Sequence, residues 1–187
     1  MLFQVIFLTY LILSDKEGQV IQDIRYHSIR SLGWIQYHGD NDAQSQLCKL
    51  GYAGMMAVAV GICGGCIVNN NGDIKLALSS IGCFFNRIHE GRKTQYFYHH
   101  PVPPQPELIK PSEEQLEEEG GNEEIEQWMA KKQKEKYQNI KFRTIQTKYT
   151  ILNSFCNKLN GQQRYNEHDY YYDEDRNDGI NIDDDEM

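Results

Sequence analysis

Residues 63–93, CGGCIVNNNGDIKLALSSIGCFFNRIHEGRK, carry the densest pattern in the chain, and their reading decides the fold. Ile74, Leu76 and Leu78 alternate with Lys75, Ala77 and Ser79. That is the period-two pattern of a strand with one buried and one wetter face, so a strand is expected over residues 73–79. Upstream, residues 65–68 form a short apolar run, separated from the first by Asn69, Asn70, Asn71 and Gly72. An Asn-Gly step supplies positive φ at little cost, and the unit reads as a β-hairpin over 65–79. Past Ser80 the alternation is lost, Gly82 breaks the chain, and Asn86 is placed to cap a helix running through Glu90. The expected class is α/β (α+β), a partial mixed sheet with a following helix.

These residues resemble the ribonuclease H-like domain of plant non-LTR retroelements. The run GG-x-I, an Asn-Gly turn, then I-x-L-A-L-S and I-G is similar to that family's second and third strands. Gly82, Asn86 and Glu90 stand at the spacing at which the family has a Gly, an Asn and its catalytic Glu. The resemblance implies that Glu90 is a catalytic, metal-binding carboxylate, that Asn86 lies at the nucleic-acid contact, that Mg²⁺ is the cofactor and that an RNA·DNA hybrid is the substrate. Lys49, Leu50, Ala53 and Gly54 are similar to K-L-x-x-D-G on the first strand, with Ala53 where the family has its principal Asp ligand. The resemblance covers residues 48–93 and stops before the family's later carboxylates. Ribonuclease H chemistry needs several carboxylates converging on divalent ions. One Glu therefore implies a degenerate, retroelement-derived protein with weak or lost nuclease activity, nuclear or cytoplasmic. The hairpin is also similar to that of threonine aspartases, with Cys63 near the place of their Thr, a likeness that leaves the Asn86 and Glu90 spacing unexplained.

Residues 50–68 support a rival reading. These nineteen residues carry no charge, enough to span a bilayer as a helix. Ala53, Ala57, Gly61 and Gly65 recur every four positions, the small-residue ridge along which membrane helices approach one another. Under this reading the protein is a small membrane protein acting through helix–helix association. A hairpin and a spanning helix cannot both use residues 61–68.

Charge is distributed unevenly. The net charge of −8 comes from 27 acids against 19 bases, and from Tyr165 onward ten acids face Arg176 alone. The rest is close to neutral, which argues against overall electrostatic affinity for nucleic acid but not against a local patch. Five cysteines are an odd count at low density, which favours free thiols in a reducing compartment. No P-loop, dinucleotide fingerprint or nucleophile elbow is present.

Taken in order, the chain divides into an apolar segment and irregular region (1–45), the partial ribonuclease H-like domain (46–95), a Pro-rich and acidic linker (96–122), a basic amphipathic helical region (123–160) and an acidic tail (161–187) expected to be disordered. Residues 1–13 are apolar but lack the basic flank and cleavage pattern of a signal peptide, and a short strand is expected near residues 33–37. Ser112 with Gln115 is placed to cap a short acidic helix that Gly120 and Gly121 stop. Asn122 then caps the next helix, with Glu123 and Glu124 in its first turn as the helix dipole favours. Phe142, Ile145, Tyr149, Leu152 and Cys156 are spaced three and four apart, an apolar helical face; a strand over 142–151 is the alternative. Lys131, Lys132, Lys141 and Arg143, interleaved with aromatics, are placed to contact phosphates, and a solvated helix face explains them equally well. Cys63 and Cys66 form a C-x-x-C pair that Cys83 and His89 follow at a spacing loosely compatible with zinc. Thiols lining a buried surface are the plainer reading.

Overall fold

The computed structural model describes residues 18–65, 71–92, 101–130 and 138–152. Its elements are α1 (Gly18–His38), α2 (Asn41–Lys49), α3 (Tyr52–Gly65), α4 (Asn71–Glu90), a 3-10 turn (Pro106–Leu108), α5 (Ile109–Glu118), α6 (Gly121–Ala130) and α7 (Gln138–Leu152). Among the described residues the sole extended pairing is an isolated antiparallel bridge between Arg92 and Val102. The described chain is all-α, which corrects the mixed ribonuclease H-like sheet expected from residues 63–93.

Helix α4 is the centre of the molecule, packed against α1, α3 and α7. Ile74, Ala77, Leu78, Ile81, Phe84, Phe85 and Ile88 are all buried, at spacings of three and four. Because α4 has neighbours on nearly every side, Leu76 is buried as well. A helix wrapped in this way loses its polar stripe, and over a few residues its pattern imitates alternation. Ala77, expected on a wet strand face, is 0% exposed. Gly82 lies within α4 without ending it, and Asn86 belongs to the end of that helix instead of opening a new one. The strand expected at 33–37 is likewise the last part of α1.

Helix α3 has 14 residues, and no helix among the described residues is long and apolar enough to cross a membrane. Its small residues serve close packing on protein instead. A Cβ added at Gly54 would sit 3.0 Å from the Gln115 carbonyl oxygen of α5. One added at Gly121, where α6 begins, would sit 2.8 Å from the Ala57 Cβ and 2.6 Å from Leu116 Cδ1. Gly54 thus admits α5, and Ala57, on the ridge that suits membrane helices, admits α6 directly onto α3.

The C-terminal end of α4 is tied to the end of α1. At its C-terminal end Gly91, at φ +71°, turns the chain so closely past Val102 and Pro103 that no side chain fits. That turn delivers Arg92 to the end of α1. Arg87 Nη1 and Arg92 Nη1 both donate to the Tyr37 carbonyl, at 3.1 and 2.6 Å, and Arg92 Nη2 reaches the Gly39 carbonyl at 3.4 Å. The last carbonyls of a helix lack intrahelical partners and carry the negative end of its dipole, so two guanidinium groups fit there. This explains how Arg87 is tolerated at 0% exposure. Gln105 continues the join, its amide Nε2 donating to Asn41 O at 3.1 Å and its backbone N to Ile88 O at 2.9 Å.

Helix α7 closes the other side of α4 with an unexpected face. Its buried positions are Ile140, Arg143, Thr144, Thr147, Thr150 and Ile151, whereas Phe142, Tyr149 and Leu152 are exposed. The helix expected from sequence forms, but its apolar face points outward. The threonines bury cheaply because their hydroxyls are satisfied. Thr144 Oγ1 donates to Ile140 O at 2.7 Å and Thr150 Oγ1 to Gln146 O at 2.9 Å, while Thr147 Oγ1 crosses to Leu78 O of α4 at 2.9 Å.

Candidate binding groove

Among the described residues, those named from sequence do not converge. Glu90 is exposed at the C-terminal end of α4, and Asn86, one turn earlier, is half-buried. Lys141 is exposed on α7, but Arg143, expected to meet phosphate, is 4% exposed and donates to Gln146 Oε1 at 3.4 Å. Lys131, Lys132, Cys66 and the tail lie outside the described residues, as does the Cys63 side chain. Cys83 is buried beside the aromatic core, and burial lowers the His89 pKa, opposed by the negative charge of Glu90. Among the described residues no group of three His, Cys, Asp or Glu side chains is arranged to hold a metal. Among the described residues Glu90 therefore belongs to no group of ligands that fits a two-ion site.

A concave site forms elsewhere, where α5, α6 and α7 meet. Helix α5 starts earlier than expected, after the turn Pro106–Leu108, and Ser112 lies inside it instead of at its cap. Ser112 is fully buried, its hydroxyl donating to Leu108 O at 2.7 Å and lying 3.4 Å from the Cys48 thiol. Gln115 Nε2 donates to Cys48 O at 2.7 Å. These contacts fix α5 on α2, and its packing along α3 leaves its acidic side outward. Helix α5 ends at Glu118 and the chain turns at Gly120; α6 begins at Gly121, so Asn122, expected as its cap, lies inside it, with Glu123 and Glu124 in the first turn.

Between these helices and α7 lies a groove of about 390 Å³. Leu116, Ile125 and Ile151 form its apolar floor, and Leu152 continues it towards solvent. Glu113, Glu117 and Glu126 rim it, with Asn122 and Lys148. Glu126 Oε1 pairs with Lys148 Nζ at 2.6 Å, tying α6 to α7. Burial raises the Glu113 pKa above the usual carboxylate value, and the neighbouring charge of Glu117 raises it further. The rim belongs to a wider field: residues 109–130 hold Glu113, Glu114, Glu117, Glu118, Glu119, Glu123, Glu124 and Glu126 against Lys110 alone. Sequence reading recognised these acids as helix-terminal and linker residues. Their convergence on an apolar floor needs three helices to be placed first, and no local pattern announces it.

Comparison with protein-family models, curated proteins and solved structures returns no match. The reading of the groove rests on its own geometry.

Proposed function

We propose that the chain is a helical docking module that takes a basic, amphipathic segment of a partner protein into the groove between α5, α6 and α7. The observation that carries this reading is an apolar floor of Leu116, Ile125 and Ile151 within a rim of Glu113, Glu117 and Glu126. Apolar anchors supply affinity in such grooves when a helix lies in them with side chains at i, i+3 and i+7. The surrounding carboxylates select a cationic partner and speed its arrival. The elevated pKa of Glu113 adds a specific incentive, because a cation placed beside Glu113 and Glu117 relieves their mutual repulsion.

Fluorescence anisotropy with a labelled peptide of leucines at i, i+3 and i+7 among lysines tests the proposal. Two probes accompany it: a leucine–glutamate peptide of the same spacing, and a serine–lysine peptide of the same charge. The leucine–lysine peptide binds most tightly, and raising the salt weakens it. If each rim carboxylate contributes about 0.5 kcal/mol, Glu113→Gln with Glu117→Gln weakens binding about fivefold. Equal binding of the serine–lysine peptide, or binding unchanged in the double variant, would place the attraction elsewhere, for instance on the acidic tail, and overturn the assignment.

A further inference from the structure

The outward face of α7 is a second surface with its own logic. Phe142, Tyr149 and Leu152 are 51%, 54% and 45% exposed, and Ile145 between them is half-buried. They are spaced three and four residues apart. A stripe of this width, with threonines and Arg143 on the opposite, core-facing side, is the seam along which two helices pack knobs into holes. We infer that a second copy of this chain pairs with the first along this face, antiparallel about a two-fold axis level with Thr147.

The stripe is complementary to itself in that orientation. Antiparallel pairing sets Phe142 against Leu152 of the other copy and Ile145 against Tyr149, so every layer joins an aromatic ring to a branched aliphatic chain. Parallel pairing would stack each residue on itself. The charges agree with the antiparallel choice. Lys148, beside the seam, is already bound to Glu126 of its own chain at 2.6 Å, and the two Lys141 side chains fall at opposite ends. Aromatic side chains bury about 150–250 Å² when fully covered. Half-exposed rings and the two aliphatic chains therefore contribute roughly 400 Å² per copy, about 800 Å² in all, below the roughly 1,000 Å² that a stable interface clears and in the range of a transient one. The dimer is accordingly weak and dissociates on dilution. Apart from Leu152, the seam shares no residue with the groove, so the pairing stands independently of the docking reading.

Sedimentation velocity of the full chain over a wide concentration range tests it. The wild type shifts from monomer towards dimer as concentration rises. Phe142→Asp with Tyr149→Asp stays monomeric throughout, with unchanged far-UV circular dichroism because both side chains are exposed. The milder pair Phe142→Gln and Tyr149→Gln serves if the aspartates disturb folding, and it too stays monomeric. A wild-type chain that is monomeric at every concentration overturns the inference. So does a dimer that persists in both folded variants, which would point to another face such as the exposed Trp34 and Ile35 on α1.

Discussion

Replacing Ala77 by leucine separates a helical α4 from the strand that its sequence suggests. On a strand over 73–79, Ala77 shares the wetter face with Lys75 and Ser79, and a leucine there costs nothing or adds a little strand propensity. In α4 the same residue is 0% exposed and lies between the flanking helices. Three additional carbon atoms must then be accommodated in a packed interior, which costs typically about 1–3 kcal/mol in off-rotamer side chains and helix displacement. In a domain of this size each kcal/mol corresponds to a Tm change of roughly 2–4 °C. The variant is therefore expected to melt about 2–12 °C below the wild type, with a matching fall in the urea midpoint at unchanged slope. A surface substitution moves stability by no more than about 0.5 kcal/mol. A Tm for Ala77→Leu within about 2 °C of wild type would refute the buried-helix account.

Arg92→Ala removes two of the donors at the end of α1 and is expected to cost about 1–3 kcal/mol, the value of hydrogen bonds from a charged group, measured by urea unfolding. Glu113 has its pKa raised in the folded state, so the folded chain binds more protons and its contribution to stability falls as pH rises from the ordinary carboxylate value through the raised one. Glu113→Gln should then be more stable than wild type at neutral pH, with the advantage vanishing in acid; an advantage that grows in acid would reverse the sign. The groove should also lose affinity for the leucine–lysine peptide as pH falls through the same window and Glu113 becomes neutral, an effect absent from Glu113→Gln. Incubation with Mg²⁺ and an RNA·DNA hybrid should give no cleavage dependent on Glu90, since among the described residues that carboxylate joins no group of three metal-ligating side chains. Cleavage lost in Glu90→Gln would restore the ribonuclease reading.

What the sequence disclosed depended on how local the determining physics is. The break at Gly120 between α5 and α6, and Glu123 and Glu124 in the first turn of α6, were legible because helix punctuation acts within a turn, although Gly121 opens α6 and Asn122 lies inside it. The apolar stripe of α7 was equally plain, but which side of a helix is buried is decided by its neighbours. The threonine side faces α4 because Thr147 bonds Leu78 O and its companions satisfy themselves internally. Residues 73–79 misled for the opposite reason: burial on nearly every side, with Lys75 alone partly exposed among them, erases the polar stripe that distinguishes period 3.6 from period 2. The groove was visible as an acid-rich stretch and invisible as a site, since Leu116, Ile125 and Ile151 come from three helices. Ribonuclease-like spacing at Gly82, Asn86 and Glu90 is, on α4, the spacing of residues four apart on one helical face.

Titrating the isotopically labelled full chain with the leucine–lysine peptide and following backbone amide shifts by NMR tests the docking claim most directly. The account predicts saturable shifts concentrated on α5, α6 and the C-terminal half of α7, around Leu116, Ile125 and Ile151. Shifts confined to the acidic tail or to α1, with those groove amides unmoved at saturation, would contradict it.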